Sequence, residues 1–512
     1  MRAAALLLAL ALAAPVAADP GKLYAEHCAS CHGADRLGGI GPALLPSNLE
    51  RLRKPAAAET IARGREATQM PGFGDKLTAA EIGQLVELVY AQVEPEPRWG
   101  EAEIRASRTV LHAPGTLPGR PQFEADPLNL FVVVETGDHH VSVLDGDRLE
   151  RIHRFPSRYA LHGGPKFTPD GRYVFFASRD GWITKYDLWN LKTVAEVRAG
   201  LNARNAAVSS DGKFVAVANY LPHSLVILDA DLNLVKVLPV ADAAGKRTSR
   251  VSAVYDAGPR RSFVAALKDV KELWEVSYDP KSPEIPAGVI HDFQYREGAF
   301  IPGFLNPRRT ILDDYLDDFF FTPDYNEVMG ASREAKQGQV VHLDVRRKIA
   351  TLDVTGMPHL GSGITWMLDG RRVMATPNLR EGVVSVFDIK AWKPVGQIRT
   401  LGPGFFMRSH ESTPYAWVDS MMSPAHKDTL QVIDKRTLKV VVELRPEPGK
   451  TLAHVEFTRD GRYALASLWE MDGALIVYDA QTLKEVKRIS MRKPVGKYNV
   501  YNKVTRSEGT SH

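Results

Sequence analysis

Two stretches that lie far apart in the chain decide its fold because they are nearly identical. Residues 167–178 read Phe-Thr-Pro-Asp-Gly-Arg-Tyr-Val-Phe-Phe-Ala-Ser, and residues 457–467 read Phe-Thr-Arg-Asp-Gly-Arg-Tyr-Ala-Leu-Ala-Ser. In each stretch an Asp-Gly turn precedes a β-rich run, and further strand-like runs follow it. A repeated unit of strands and turns is typical of β-propellers, in which each unit forms one blade.

The same unit restarts eight times along the chain. Successive starts mostly lie 41 to 47 residues apart, which is the spacing of a four-stranded blade. One longer gap holds an insertion around Pro283 to Asp318. We therefore predict a mainly β fold, an eight-bladed β-propeller over residues 108–512, with Thr109 to His112 pairing with the last blade to close the ring; a seven-bladed ring is the alternative. The starts lie near Phe123, Phe167, Val208, Val254, Phe321, Trp366, His410 and Phe457.

A haem-attachment pattern stands near the start of the chain. Residues 28–32 read Cys-Ala-Ser-Cys-His, the C-x-x-C-H pattern of covalent c-type haem attachment. The thiols of Cys28 and Cys31 can bind the two vinyl groups, and the imidazole of His32 can coordinate the iron. Met70, in a Met-Pro-Gly-Phe loop, offers a thioether as the opposite axial ligand. The alternative for this residue is a core methionine.

A helix with a defined start follows the methionine loop. Thr78 and Glu81 have the spacing of a capping box, and apolar residues then recur at helical spacing. Together with the haem motif, this layout predicts a small all-α class I cytochrome c domain over residues 19–94. A linker is predicted over residues 95–107.

The first 18 residues predict a secretory signal peptide. A minimal positive start, an apolar run and a small-residue cleavage site follow one another, and the run is too short to span a bilayer. The mature protein is therefore expected in the periplasm. No later segment is apolar enough for a membrane span. The net charge of +4 comes from interleaved basic and acidic residues, which argues against nucleic-acid binding.

Loops that lead into the innermost strands hold several imidazole and guanidinium groups. Propellers bind ligands over the central channel on such loops, so these groups are expected to converge. Imidazoles can hold a metal and guanidiniums can hold carboxylates, and an anionic metallo-tetrapyrrole satisfies both. For the arginines, ion pairs with neighbouring blades are the alternative. The predicted ligand-binding groups are His162, Arg204, His359 and Arg408.

Two further histidines and an acidic cluster complete the candidates. His410 and His454 occupy similar loops, and we expect both to be hydrogen-bonded loop residues rather than ligands. Residues 311–321 read Ile-Leu-Asp-Asp-Tyr-Leu-Asp-Asp-Phe-Phe-Phe. A carboxyl of this cluster that faced a closed site would have a raised pKa and could accept a proton. Asp314 is the predicted group, and a solvated hairpin is the alternative reading.

A cytochrome c domain ahead of an eight-bladed propeller resembles the cytochrome cd1 group, whose propeller holds haem d1. The loop at His162 is similar to the loop that supplies the proximal d1-iron ligand, and His359 is similar to one of the two distal histidines of nitrite reductases. Arg204 falls where the group has an arginine near the d1 carboxylates. The resemblance implies one covalent haem c and a non-covalently bound haem d1 or a dihydro- or didecarboxysirohaem-type precursor. Residues 297–327, which align with the second distal histidine, contain no histidine, and this argues against a nitrite reductase.

Within this group the chain most resembles NirF-type haem d1 biosynthesis proteins. The similarity lies in residues 312–321, in residues 402–411 (Gly-Pro-Gly-Phe-Phe-Met-Arg-Ser-His-Glu) and in the tail, residues 505–512. NirF-type chains lack a cytochrome domain, so the chain resembles NirF with a NirC-like cytochrome fused ahead of it. NirN-like dihydro-haem d1 dehydrogenases have this two-domain layout and are the alternative.

The resemblance implies an oxidoreductase of haem d1 biosynthesis. It would convert a propionate of a d1 precursor to the acrylate, with His359 or Asp314 as the base and haem c as the electron outlet. A non-catalytic carrier that delivers d1 to nitrite reductase is a second alternative. The implied partners are the tetrapyrrole, a cd1 nitrite reductase, a NirN-like protein and an external electron acceptor.

Overall fold

The computed structural model describes residues 19–39, 41–49, 52–64, 70–95, 97–292, 297–331, 337–354 and 356–510. The predicted signal peptide, residues 1–18, lies outside these ranges. A small helical domain comes first and a β-propeller follows it. Within the described ranges, no helix has the length and apolar character needed to cross a membrane.

Short helices surround a small apolar core in the N-terminal domain. Tyr24, Leu85 and Val89 are buried in this core. The predicted capping box is present: Thr78 N donates to Glu81 Oε2 at 2.8 Å, and Glu81 N donates to Thr78 Oγ1 at 3.3 Å. The helices are α1 (Pro20–His27), α2 (Ala29–His32), α3 (Pro46–Leu49), α4 (Lys54–Arg63) and α5 (Ala79–Tyr90).

Antiparallel strands make up most of the rest of the described chain, with helix α6 (Glu101–Ser107) before them and helix α7 (Val500–Thr505) after them. Most of them alternate with short turns, as the repeated Asp-Gly units predict. In chain order the strands are β1 (Thr109–Val110), β2 (Leu130–Glu135), β3 (His140–Asp145), β4 (Glu150–Pro156), β5 (Lys166–Phe167), β6 (Tyr173–Ala177), β7 (Trp182–Asp187), β8 (Lys192–Arg198), β9 (Asn202–Val208), β10 (Phe214–Leu221), β11 (Ser224–Asp229), β12 (Leu234–Pro239), β13 (Val251–Ala257), β14 (Ser262–Leu267), β15 (Glu272–Ser277), β16 (Ile285–Asp292), β17 (Glu297–Ile301), β18 (Pro307–Ile311), β19 (Asp318–Phe321), β20 (Glu327–Ala331), β21 (Gly338–His342), β22 (Arg347–Leu352), β23 (Ile364–Leu368), β24 (Arg371–Pro377), β25 (Val383–Asp388), β26 (Lys393–Arg399), β27 (Met407–Ser409), β28 (Tyr415–Asp419), β29 (Leu430–Asp434), β30 (Lys439–Leu444), β31 (Leu452–Phe457), β32 (Tyr463–Leu468), β33 (Ala474–Asp479), β34 (Glu485–Ser490) and β35 (Pro494–Asn499).

These strands form eight blades within the described residues, which confirms the predicted eight-bladed propeller. The apolar core lies between neighbouring blades. Ile227 of β11, for example, packs in one cluster with Trp274 of β15. The blades, in ring order, are β35-β2-β3-β4, β5 to β8, β9 to β12, β13-β14-β15-β18, β19 to β22, β23 to β26, β27 to β30 and β31 to β34.

The ring closes differently from the prediction. Strand β35 pairs with β2, with Phe131 opposite Asn499, so the last strand of the chain becomes the innermost strand of blade 1. It fills the place where a start near Phe123 was predicted. The expected pairing of Thr109 to His112 with the last blade is wrong, because β1 pairs with β8 and adds an outer strand to blade 2. Thr109 and Val110 are exposed, which suits an outer edge.

The two predicted irregular segments both contain ordered structure. In the insertion, β16 and β17 form a hairpin and β18 returns as the outer strand of blade 4. The predicted linker contains helix α6 (Glu101–Ser107), whose Ile104 is buried against blades 2 and 3. Gly100 N donates to Glu103 Oε2 at 2.7 Å and caps this helix. The predicted linker is therefore not an extended connection along its whole length, because helix α6 packs on the propeller through Ile104.

Candidate functional site

The helical domain places the predicted haem c residues together. Cys28 and Cys31 are half-buried and not disulfide-bonded. Burial raises the pKa of the Cys28 thiol to about 11, so this group is a neutral thiol rather than a metal-binding thiolate. His32 is buried, and its Nδ1 donates to Pro42 O at 2.8 Å, which leaves the Nε2 lone pair available for an iron. A Cβ at Gly41 would lie 2.7 Å from the His32 ring, so glycine fixes the orientation of the imidazole.

The loop that carries Met70 is fixed to the end of helix α4. Phe73 N donates to Ile61 O and Gly74 N to Ala62 O, each at 2.9 Å. A Cβ at Gly64 would lie 2.7 Å from Met70 O. The loop therefore has a defined path, and the thiols, the imidazole and a thioether all belong to this one small domain. These residues fit a covalently bound haem.

A cavity of about 350 Å³ opens at the end of the propeller channel. The loops before the innermost strands line it, as predicted, and glycines line part of its wall. Aromatic rings and several ionisable groups complete the lining. The lining includes His162, Gly163, Gly164, Phe176, Arg204, Tyr255, Asp318, His359, Gly361, Phe405, Phe406, Arg408, His454, Trp469, Gly496 and Tyr498.

His162 is held as a neutral imidazole. Its Nδ1 lies 2.7 Å from Arg204 O and must donate, because a carbonyl only accepts. The Nε2 lone pair then accepts from Arg179 Nη2 at 3.0 Å. Burial, followed by the charges of Arg179 and Arg204, lowers the pKa of His162 well below its ordinary value. A neutral imidazole with a lone pair at the cavity wall can bind a metal.

The two predicted arginines differ in their surroundings. Arg204 Nη1 lies 2.9 Å from His162 Nδ1, so its guanidinium is next to the imidazole at the cavity. Arg408 is buried, donates through Nη1 to Met407 O at 3.0 Å, and lies with Nε 3.9 Å from Glu456 Oε2. The alternative of an ion pair with a neighbouring blade therefore applies to Arg408, although the 3.9 Å distance to Glu456 is long. Both guanidiniums reach the cavity and can bind carboxylates there.

His359 faces the same cavity beside an acidic group. Its Nδ1 donates to Phe405 O at 2.5 Å, so Nε2 carries the lone pair. Burial lowers the pKa of His359, and the carboxylate of Asp318 opposes this effect. Asp318 accepts from Tyr255 Oη at 2.8 Å and from Gly361 N at 2.7 Å. A Cβ at Gly361 would lie 2.6 Å from Asp318 Oδ2, so only glycine permits this approach.

The predicted base Asp314 lies elsewhere. It is absent from the cavity lining, and its Oδ1 accepts from Tyr315 N at 2.8 Å, while Gln339 donates to its carbonyl. Asp318, at the start of β19, is the carboxylate of the cluster that reaches the cavity. The sequence did not separate Asp314 from Asp318, because the run of alternating carboxylates does not show which one enters the innermost strand.

His454 was expected to be an ordinary loop residue, yet it lines the cavity. It is buried, and its Nε2 has no hydrogen-bond partner among the described residues. Burial and the charge of Lys497 lower its pKa well below the ordinary value. His410, in contrast, is outside the lining and its Nδ1 lies 2.8 Å from Ser412 Oγ. The repeat position of His454, within the innermost strand β31 of its blade, is the signal that could have identified it.

Fold and site together define a two-domain haem protein, a cytochrome c joined to a tetrapyrrole-binding propeller. Residues 125–503 match the family described as "Cytochrome D1 heme domain", and residues 15–89 match "Cytochrome C oxidase, cbb3-type, subunit III". The chain belongs to the cytochrome d1 haem domain family. These matches confirm the predicted pair of groups, one covalent haem c and a d1-type tetrapyrrole.

Similar proteins separate the two readings of the sequence. The chain is 57% identical to "Dihydro-heme d1 dehydrogenase" of Pseudomonas aeruginosa over 100% of both chains. It is 29% identical to "Protein NirF" of Stutzerimonas stutzeri, over 72% of this chain and 90% of that protein. The solved structure "Dihydro-heme d1 dehydrogenase NirN in complex with DHE" matches with a TM-score of 0.85 and 58% identity, over 95% of this chain and 100% of that chain.

The preference for a NirF-type protein is therefore corrected, and the NirN-like alternative is better supported. The strings that suggested NirF lie in the propeller, and the NirF match covers only 72% of this chain. The dehydrogenase match covers both domains. The two-domain layout was the more discriminating feature.

Proposed function

We propose that this protein is a dihydro-haem d1 dehydrogenase that oxidises a propionate of its tetrapyrrole substrate to the acrylate. The observation that carries the proposal is that a dehydrogenase aligns with both domains over their full length. The cavity supports it with metal-binding imidazoles, carboxylate-binding guanidiniums and a neutral base. The reaction removes two electrons and two protons while a C=C bond forms.

Residues that line the cavity bind the substrate. The neutral imidazoles of His162 and His454 can each supply a nitrogen to the substrate iron, and Arg179 must then move from His162 Nε2. Arg204 and Arg408 pair with the substrate carboxylates. Phe405 and Phe406 offer apolar faces to the flat macrocycle.

Proton removal is assigned to His359. Its Nε2 lone pair faces the cavity, and its lowered pKa keeps it neutral near pH 7, as a base requires. Asp318 stabilises the imidazolium that forms, and Tyr255 and Gly361 hold this carboxylate in place. The aligned acidic cluster thus contributes through Asp318 and not through Asp314.

The cytochrome domain supplies the electron outlet. Cys28 and Cys31 are proposed to attach the haem, with His32 and Met70 as its axial ligands. Haem c, when bound there, accepts one electron at a time at a potential raised by the methionine ligand. Two successive transfers per turnover then require an external one-electron acceptor.

Cellular context follows from the sequence expectations. We place the protein in the periplasm, on the strength of residues 1–18, and we expect cd1 nitrite reductase to receive the product. Because this chain takes the dehydrogenase role itself, the proposal needs no separate NirN-like partner.

Anaerobic mixing of the oxidised holoprotein with dihydro-haem d1, followed by visible spectroscopy, tests the proposal. We expect reduction of the c-haem bands together with conversion of the tetrapyrrole spectrum to that of haem d1. A tetrapyrrole spectrum that shifts while the haem c stays oxidised would identify a carrier and reject the dehydrogenase.

A further inference from the structure

A buried arginine spans the boundary between the two domains. Arg198, at the end of β8, is 8% exposed, and its Nη2 donates to Leu37 O of the helical domain at 2.5 Å. Leu37 lies in the segment just after the haem-attachment motif. The next residue, Gly38, donates through its N–H to His32 O at 2.9 Å. Two hydrogen bonds therefore join the Arg198 guanidinium to the proposed haem ligand.

The other side of the same guanidinium points to the tetrapyrrole cavity. Arg198 Nε donates to Asp180 O at 2.8 Å. Asp180 follows Arg179 in the chain, and Arg179 O accepts from Ala203 N at 3.1 Å. Arg204, the next residue, accepts through its carbonyl from His162 Nδ1 at 2.7 Å, which leaves His162 Nε2 to the substrate. A continuous route of covalent bonds and five hydrogen bonds thus connects His32 with His162.

The surroundings hold Arg198 in one position. Its guanidinium stacks on Trp99 with the ring centre 4.8 Å away, Trp99 Nε1 donates to Arg198 O at 2.9 Å, and Arg198 N donates to Ser107 Oγ at 2.9 Å. Both acceptors of its guanidinium are backbone carbonyls rather than a carboxylate. Burying a guanidinium whose acceptors are backbone carbonyls costs free energy of folding. This cost indicates that Arg198 has a role other than stabilising the fold.

We propose that Arg198 is a positioning residue for electron transfer. Electrons pass from the bound tetrapyrrole to haem c through His162, the backbone of Arg204, Ala203, Arg179 and Asp180, the Arg198 guanidinium and Leu37. Tunnelling decays more slowly through bonds and hydrogen bonds than through empty space, so a fixed guanidinium between the domains increases the electronic coupling. The inference rests on the proposed function.

The electron balance is that of the dehydrogenation. Two C–H bonds of the propionate break, a C=C bond forms, and two protons leave, one of them to His359. Two electrons follow the route through Arg198 one at a time. An external one-electron acceptor reoxidises the cytochrome domain after each transfer.

The test measures transfer between the domains without requiring turnover. One electron is delivered to haem c of the holoprotein by flash-generated flavin semiquinone, and its equilibration with bound haem d1 is followed by absorbance. In Arg198→Met, which keeps the aliphatic stem and loses both donors, we expect transfer at least about tenfold slower than in the wild type. In Arg198→Lys, whose single ammonium replaces the two-sided fork, we expect an intermediate rate.

Controls separate coupling from domain position. Arg105→Met loses the hydrogen bond from helix α6 to Leu234 O of the propeller, and its partners Leu234 and Glu101 lie outside the route, so we expect its rate to stay within about twofold of wild type. The haem c midpoint potential, the haem d1 affinity and the small-angle scattering profile should not change in Arg198→Met. An unchanged transfer rate in this variant overturns the proposal. So does a slower rate accompanied by a shifted potential or a changed scattering profile, because either assigns the loss to domain displacement.

A different result would reject the proposed function without rejecting the route through Arg198. If the wild type does not oxidise dihydro-haem d1 on mixing, the dehydrogenase assignment is rejected. Slower flash-induced transfer in Arg198→Met would still support the route through Arg198.

Discussion

The two domains assemble their sites in different ways. In the helical domain, Cys28, Cys31 and His32 lie within one turn and a half of helix, and Met70 sits on a loop fixed to the neighbouring helix. In the propeller, His162, Arg204, His359, Arg408 and His454 come from five different blades and meet because the ring brings their loops together. A contiguous motif carries its own geometry, whereas a distributed site depends on the fold that assembles it.

The largest effect is expected from breaking the contiguous motif. Cys28→Ala together with Cys31→Ala removes both attachment points, so we expect complete loss of covalent haem c and of electron uptake. The propeller has its own interblade cores, so its affinity for dihydro-haem d1 should stay within about twofold of wild type. Haem staining and an anaerobic absorbance titration measure the two quantities. A collapse of tetrapyrrole affinity would show that the two sites are not independent.

The next effect concerns the chemical step in the distributed site. His359→Ala removes the proposed base, and we expect dehydrogenation to slow by about 10²–10⁴-fold. Single-turnover mixing, monitored at the c-haem bands, measures this rate. Since the active form is neutral and its pKa is lowered, the wild-type rate should rise with pH below 6.5 and level off above it.

A matched pair of carboxylate variants sharpens this prediction. Asp318→Asn should slow the same step because the imidazolium of His359 loses its counter-charge, whereas Asp314→Asn, outside the cavity, should leave the rate within about twofold of wild type. Equal losses in both variants would contradict the assignment of Asp318.

The contrast between the domains also explains what the sequence could predict. The haem c residues follow from a short pattern, and eight blades follow from a period, because both are local or repeated signals. Asp318 could not be separated from Asp314, since both belong to one run of carboxylates and only the tertiary structure shows that the innermost strand β19 begins at Asp318. The ring closure was missed because both ends of the propeller segment carry a strand, β1 and β35, and only tertiary pairing shows that β35 completes blade 1.

Sequence position alone misjudged one histidine as well. His454 lies within β31 and His410 directly follows β27, which are the innermost strands of neighbouring blades, and of the two only His454 lines the cavity. His454 also has a positive φ of 52°, a backbone conformation that is uncommon for a side chain of this size. Its repeat position indicated the cavity, but the sequence did not predict this conformation.

A smaller effect is expected on tetrapyrrole affinity. His162→Ala removes a proposed iron ligand and should weaken binding of dihydro-haem d1 by about 10–100-fold, with the haem c spectrum unchanged. His410→Ala is the control, because this histidine lies outside the cavity lining and its loss should change affinity by no more than about twofold. Anaerobic titration with haem c pre-reduced measures binding without turnover. Unchanged affinity in His162→Ala would reject this residue as a ligand.

The smallest effect compares two buried carboxyls, one near the domain boundary and one under the cavity. Burial raises the pKa of both Asp180 and Asp419 to about 6. Asp180 Oδ2 has no partner among the described residues, whereas Asp419 accepts from Phe405 N at 2.7 Å and from Phe406 N at 3.1 Å. Asp180→Asn removes a buried charge and should raise the free energy of unfolding at pH 7.5 by about 1–3 kcal/mol. Asp419→Asn turns an amide donor toward backbone donors and should lower it by about 1–3 kcal/mol.

The pH dependence of the stability shows whether the buried charge of Asp180 causes the difference. A carboxyl with an ordinary pKa of 3.8 and a folded value of about 6 binds its proton more tightly in the native state, so it makes the wild type lose stability as the pH rises from about 4 to 6. Asp180→Asn abolishes this contribution, so its gain over the wild type should be large at pH 7.5 and small at pH 4. Urea unfolding of the propeller at both pH values measures it. A gain that does not depend on pH would mean that packing, and not the buried charge, separates Asp180 from Asp419.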